Sequence, residues 1–314
     1  MANVTIAGVT YNAVPRIDVP KAAGGGNAPF YDTSGDTATA ADVLSGKTFH
    51  GASGQETGTA QIVDTFSDYT TRSIVDVITI TKIGSSYTFL GMGGLKNVVF
   101  GDGITRISAD AFYNCTNLNT ISGQDITDIG ANAFYSCSWL TDADFPKLDW
   151  VQGFRGCSRL TELEFPVARR FQSEAFYGCT ALTSAIAPNI TYINTSALRN
   201  CTSLNVANYP MADIIGQSAF YGCTILPSAT IRANTQIAAQ AFYNCYILHD
   251  LYITGTTLPS LANVNAFQNT PIEMSGTYAD ATARIHVRPE MVEAYASATN
   301  WSTFASKIVG DYSD

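Results

Sequence analysis

Seven cysteines, Cys115, Cys137, Cys157, Cys179, Cys201, Cys223 and Cys245, are all the thiols in this chain of 314 residues, and the gaps between them are 22, 20, 22, 22, 22 and 22 residues. Thiols at regular spacing can pair as disulfides, hold a metal or act as nucleophiles. Pairing leaves one thiol over, and a metal site lacks its Cys-x-x-Cys pair or Cys/His cluster at ligand spacing. Because every cysteine holds the same position of a repeat, the seven are expected as a column of small buried side chains, where cysteine behaves as a compact hydrophobe. Such a column is compatible with assembly in a reducing cytoplasm.

Other chemistry is sparse. The three histidines, His50, His249 and His286, have no metal-ligand spacing to one another, and no serine stands in a nucleophile-elbow pattern. His249, beside a strand position, is expected at the surface. No catalytic group, cofactor or metal is expected, and the chain is not expected to be an enzyme. Two rows at repeat spacing are candidates for binding instead. Five and seven residues after the cysteine stand Asp142 and Asp144, then Glu162 and Glu164 in the next repeat. Like charges on neighbouring strands repel unless solvated or paired, so these four form either a hydrated outer face or the seat of a cation or a basic partner. Two residues before the cysteine stand Tyr113, Tyr135, Arg155, Tyr177, Arg199, Tyr221 and Tyr243. Tyrosine and arginine are favoured at recognition surfaces and stack on sugar rings, and the same row can serve to cover a solenoid edge.

A period of 20 to 22 residues is that of a solenoid, in which each turn buries its apolar face by stacking on its neighbours. The units read AFYNCTNLNTI at 111–121, AFYGCTALTSA at 175–185 and AFYNCYILHDL at 241–251. Three residues before the cysteine stands phenylalanine, replaced by Leu198 in one turn, and three residues after it stands leucine in every turn. Beyond the leucine, apolar residues two apart, such as Leu163 and Phe165, have the period of a half-buried strand. Stacked turns would pair these strands into a parallel sheet at about 4.8 Å per turn. The AFxxC segment is expected as a short helical turn on the opposite side, and a further apolar position, at Ile107, Ile129, Phe171, Ile193, Ile215 and Ile237, closes the loop. Phe89, Met92 and Leu95 at one end, and Phe267 and Thr270 at the other, repeat the pattern in degenerate form, as terminal turns must.

Composition fits a folded, rather neutral chain: 46% hydrophobic and 14% charged. The net charge of −9 comes without any Lys/Arg run to neutralise phosphates, which argues against nucleic-acid binding. No run of about 18 apolar residues is present, so membrane insertion is not expected. The first ten residues lack the basic and apolar segments of a secretory signal, so export by that route is not expected either. The order expected along the chain is an attachment and linker region, small and β-rich, at 1–61, with Gly24-Gly25-Gly26 and a strand over Thr5 to Tyr11. A β-rich lead-in and cap follows at 62–88, around Ser73 to Lys82, then the solenoid at 89–272 and a closing segment at 273–314.

Two resemblances add to this reading. Ile129, Gly130, Ala133, Phe134, Cys137 and Leu140, and again Ile215, Gly216, Ala219, Phe220, Cys223 and Leu226, resemble leucine-rich repeats of the BspA type, with Pro146, Pro166, Pro188 and Pro210 where that theme ends its strand. The closing Ile285 to Pro289, Tyr295 and Asn300-Trp301 look like that family's end segment. The resemblance implies an α/β-type repeat solenoid with a parallel sheet and short helical or irregular turns. Separately, ATAADVLSGKTF at 38–49, closing with TGTA at 57–60, is similar to a module of tail and tail-fibre proteins of phages infecting Gram-positive bacteria. That likeness implies a virion protein, a tail fibre assembled in the host cytoplasm as a homotrimer. Residues 1–61 would bind tail or baseplate proteins, and the solenoid a host surface protein or glycan. The alternative is a BspA-like adhesin on the bacterial cell surface, binding host proteins.

Overall fold

The computed structural model describes residues 89–91, 93 and 95–313. Before them it describes only the backbone of eight short strands: Val4–Ile6, Val9–Tyr11, Arg16–Pro20, Asn27–Tyr31, His50–Gly51, Gly54–Gln55, Ala60–Ile62 and Ile78–Ile80. The ATAADVLSGKTF segment and Met92 lie outside the described residues. The strand expected over Thr5 to Tyr11 is a hairpin, Val4–Ile6 pairing antiparallel with Val9–Tyr11. Ile78–Ile80, within the β-rich run, lies in parallel between Ala60–Ile62 and Asn97–Phe100.

From Asn97 onward the chain is a solenoid. The alternating stretch after each leucine forms a strand at every turn: Asn97–Phe100, Thr120–Gly123, Asp142–Asp144, Glu162–Glu164, Ser184–Ile186, Ala207–Tyr209, Ser228–Arg232 and Asp250–Thr254. Pairing is parallel and one repeat out of step, so that Thr120 faces Asp142 and Ser228 faces Asp250. The apolar position expected only to close the loop carries a second sheet. Two-residue strands from Arg106–Ile107 to Ser260–Leu261 form eight parallel strands in sequence order. Such strands are too short to leave a period in the sequence. Their pairing, Tyr192 to Ile214 and Ile193 to Ile215 for instance, follows from the stacking of turns.

The AFxxC segment is not helical. It is a run of tight turns, with Cys115 N–H on the Phe112 carbonyl at 3.1 Å and Ala111 N–H on the Ser108 carbonyl at 3.3 Å. The reason lies in the residue before each cysteine. Asn114, Ser136, Gly156, Gly178, Asn200, Gly222 and Asn244 all have φ between 56° and 75°, a left-handed conformation that interrupts a right-handed helix. Alternate N–H groups then point along the stack: Phe112 donates to Ala133 and Asn114 to Tyr135, both at 2.7 Å. The corner thereby becomes a third hydrogen-bonded side of the solenoid, which satisfies backbone groups that a helix would have paired internally. The glycine before the corner serves close approach, since a Cβ on Gly130 would collide with the backbone of Ala109.

Inside, the phenylalanines stack turn on turn. Ring centroids are 5.5 Å apart for Phe112 and Phe134, 5.1 Å for Phe134 and Phe154, and 5.7 Å for Phe154 and Phe176. Each buried Phe contributes about 1.5–3 kcal/mol relative to exposure. Leu198 interrupts the column, and Tyr209 compensates, its ring standing 5.8 Å from Phe171 and 6.1 Å from Phe220. All seven thiols are buried, and none is joined in a disulfide. Each sulfur donates to the carbonyl at the phenylalanine position one turn back, from 2.9 Å for Cys115 on Phe89 to 3.3 Å for Cys223 on Leu198. The expected column of cysteines is therefore present, with a polar task added to its packing one.

Phe267 and Thr270 end the pattern, both fully buried. Past them, Arg284–His286 and Ile308–Val309 extend the first sheet. Phe304 and Trp301 pack on Phe267, and Tyr295 packs on Trp301. The Trp301 Nε1–H is held by the Pro259 carbonyl at 2.8 Å. Lys307 is buried with Nζ on the carbonyls of Pro271, Glu273 and Asp280 at 2.6, 2.8 and 2.9 Å. The one α-helix among the described residues, Val292–Ser297, belongs to this closure, and no described helix is long and apolar enough to cross a membrane.

Candidate functional site

The outward side chains of the first sheet alternate with buried ones. Asp142 and Asp144 flank buried Ala143, and Glu162 and Glu164 flank buried Leu163, so four exposed carboxylates share one face on neighbouring strands. The two strands nonetheless belong to separate sheets, one pairing back to Thr120–Gly123 and the other forward to Ser184–Ile186. This interruption falls at the turn shortened to 20 residues between Cys137 and Cys157. Asp144 accepts from Gln124 Nε2 at 2.8 Å, and none of the four carboxylates forms an ion pair with a described residue. No cluster of three or more His, Cys, Asp or Glu able to hold a metal occurs among the described residues.

The Tyr/Arg row is one continuous ladder. Tyr113 stacks on Tyr135 at 4.6 Å, and Arg155 sits over Tyr135 and Tyr177 at 5.6 and 4.6 Å. Arg199 lies over Tyr177 and Tyr221 at 5.8 and 4.1 Å, and Tyr221 stacks on Tyr243 at 5.0 Å. Arg155 also pairs with Glu174. Tyr135, Tyr177 and Tyr221 therefore have both ring faces covered by neighbours. That geometry packs an edge and leaves little ring face for a sugar.

A second ladder escaped sequence reasoning. Arg170 lies between Trp150 and Tyr192, 5.2 and 4.4 Å from their rings, on the strands of the second sheet. Its signal was present as a row one residue before the closing apolar position. Trp139, with Arg159 over its ring at 3.9 Å, adds another exposed aromatic.

The first sheet is interrupted again between Ser184–Ile186 and Ala207–Tyr209, which belong to different sheets. Here a shallow groove of about 190 Å³ is lined by Ile186, Pro188, Val206, Asn208 and Pro210 among others. The buried Tyr209 hydroxyl donates to the Ala185 carbonyl at 3.0 Å across the gap. Ile186 and Val206, apolar members of mostly polar rows that also hold Val99, are each 49% exposed.

Two of the histidines, His249 and His286, are tied to carboxylates. His249 Nε2 is 3.2 Å from Asp280, whose carboxyl is held down to about 2 by the Thr282 backbone N–H and hydroxyl and then by His249 itself. His286 stands between Asp250 at 2.9 Å and Asp311 at 2.8 Å, its ring stacked on Tyr252 at 4.4 Å. Neither imidazole bonds to a hydroxyl or thiol of a described residue. Burial pushes up the thiols of Cys137, Cys157, Cys179, Cys201 and Cys223, Cys179 to about 12, away from nucleophilic reactivity.

Against known families, the BspA type leucine rich repeat region matches in six copies over residues 63–148 and 151–273. The chain belongs to the BspA-type leucine-rich repeat family. Solved structures similar to it include a leucine-rich repeat protein of T. pallidum, at 24% identity over 56% of this chain and 74% of that one, TM-score 0.35. Another is a leucine-rich repeat protein of Bacteroides ovatus, at 18% identity over 75% and 88%, TM-score 0.27. The pneumococcal vaccine antigen PcpA aligns over 99% of both chains at 14% identity, TM-score 0.28. No curated protein sequence matches the chain.

Proposed function

We propose that the chain is a non-catalytic recognition protein of a bacterial surface, an adhesin-like scaffold that turns one face of its first sheet toward a host or cell-surface partner. The observation that carries this reading is the contrast between positions. Phe, Cys and Leu recur inside the stack, while the outward sites in the same register run Asp142, Glu162, Val206, Ser228 and Asp250, with only Ser184 of that row buried. A solenoid buries its core alike whatever stands outside, so the outer face is free to be shaped by a partner. Membership of a family whose proteins are often found on bacterial surfaces supports the same setting. Antibody against the purified chain is expected to label intact cells. Labelling confined to lysed cells overturns the reading.

The module-like segment at 38–60 favours a second setting, a phage tail fibre attached through residues 1–61 and presenting the same face to a host. That reading expects the chain in purified virions and a trimeric mass by light scattering. A stable monomer absent from virions rules it out.

A further inference from the structure

Four consecutive strands of the first sheet carry an ordered change of chemistry. Asp142–Asp144 and Glu162–Glu164 expose two carboxylates each, without an ion-pair partner among the described residues. Glu164 then lies in register beside Ile186, which with Val206, Pro188 and Pro210 walls the groove. The groove has a structural origin. Where neighbouring turns place Phe165 and Tyr209, the turn between has Ala187, just past its strand Ser184–Ile186, and Pro188 and Pro210 have no N–H to offer a neighbouring strand. Tyr209 takes the inward position of its strand, its ring against Phe171 and Phe220, and its hydroxyl takes the Ala185 carbonyl in place of a strand neighbour.

We infer that this groove docks an extended segment of a protein partner carrying lysine or arginine beside apolar side chains, the apolar residues seated between Ile186 and Val206 and the basic ones over Asp142, Asp144, Glu162 and Glu164. The inference rests on the recognition reading and names its partner's chemistry. Paired strands lie about 4.8 Å apart, so a surface of four strands with two unpaired junctions is at least roughly 15 Å long, the reach of four or five extended residues at about 3.3 Å each. Four unpaired carboxylates attract a basic segment and repel phosphate-bearing polymers and anionic lipid. A second copy of this chain, with net charge −9, is disfavoured on the same ground.

The test is an array of heptapeptides of basic–apolar, acidic–apolar, basic–polar and neutral composition, probed with the labelled full chain. Basic–apolar peptides are expected to bind, and more weakly as salt rises. Neutralising the carboxylates in D142N/D144N/E162Q/E164Q is expected to weaken that binding about tenfold and to flatten its salt dependence. I186D and V206S, both at exposed positions, are expected to abolish it while leaving the thermal melt in place. Enrichment of any other class, absence of binding, or binding indifferent to these variants overturns the inference. So does a concentration-dependent dimer that I186D dissolves, which would give the groove to a second copy. A chain that labels cell surfaces without this preference fails the inference alone. Peptide binding by a chain found on no surface fails the recognition reading alone.

Discussion

A cysteine inside each turn solves two problems at one position. It fills the space between a phenylalanine and a leucine, and its S–H gives a second donor to a buried carbonyl of the preceding turn that already accepts the cysteine N–H of its own turn. Desolvation raises Cys157, Cys201 and Cys223 as well as Cys179, and the thiolate is the reactive form. At neutral pH the native protein is accordingly expected to leave these thiols unmodified by a disulfide reagent such as DTNB, and all seven to react once guanidinium unfolds the chain. Rapid native labelling of several would contradict the column. The interruption at Leu198 gives a sharper expectation. Phenylalanine stands there in the other turns, while here Leu198 is fully buried and the Tyr209 ring packs 6.1 Å from Phe220, the next ring of the column. L198F should therefore destabilise by about 1–3 kcal/mol through overpacking, whereas F176A should cost about 3–5 kcal/mol through an unfilled cavity. Urea midpoints measure both, and a more stable L198F would show that Tyr209 yields.

At the scale of elements, the strands after each leucine were legible because apolar residues two apart alternate with polar ones, and alternation is the mark of a sheet with one face buried. The second sheet was not, since a two-residue strand has no period and exists only through its neighbours in the stack. The corner was misjudged for a different reason. AFxxC places Ala and Phe as a helical turn would, but the Asn, Ser or Gly before the cysteine marks a left-handed residue, and that residue decides the backbone. Asn200, with φ of 59°, tests this: N200G should keep or slightly raise stability, while a β-branched residue in N200V should cost about 1–2 kcal/mol. Equal effects would deny the turn its role. Of the candidate surface, both rows were visible in the repeat spacing, yet the packing of the Tyr/Arg ring faces and the groove beside Tyr209 depend on contacts between turns. Arg199, wedged between Tyr177 and Tyr221, holds that ladder by cation–π contact on both sides. R199A should lower stability by about 1–2 kcal/mol without altering peptide binding at the groove, which separates the edge of the solenoid from its face.

For the molecule as a whole, a stack of turns is quasi-one-dimensional, so each turn is stabilised by its neighbours and the ends open first. The carboxyl end is closed by Trp301 on Phe267, by Lys307 on three carbonyls and by the Asp280 turn, whose carboxylate accepts from Thr282 and His249. Asp280 is depressed from 3.8 to about 2. A group whose folded pKa lies below its unfolded one stabilises the fold above the unfolded value, and that contribution is lost as pH falls through the folded one. Acidification from about pH 4 to pH 2 should therefore loosen residues 271–284 before the central turns. Hydrogen exchange resolved along the chain measures it: backbone amides near Thr282 and Ala283 should lose protection over that window, while those of Phe154 and Phe176 keep theirs. D280N, which cannot titrate, should remove the acid dependence near Thr282 and leave these amides less protected at pH 6. W301A should free the same end at every pH, at a cost of about 3–5 kcal/mol to the terminal turn. Loss of protection spread evenly along the stack in acid would mean that the turns unfold as one unit and that the Asp280 contacts do not govern the end.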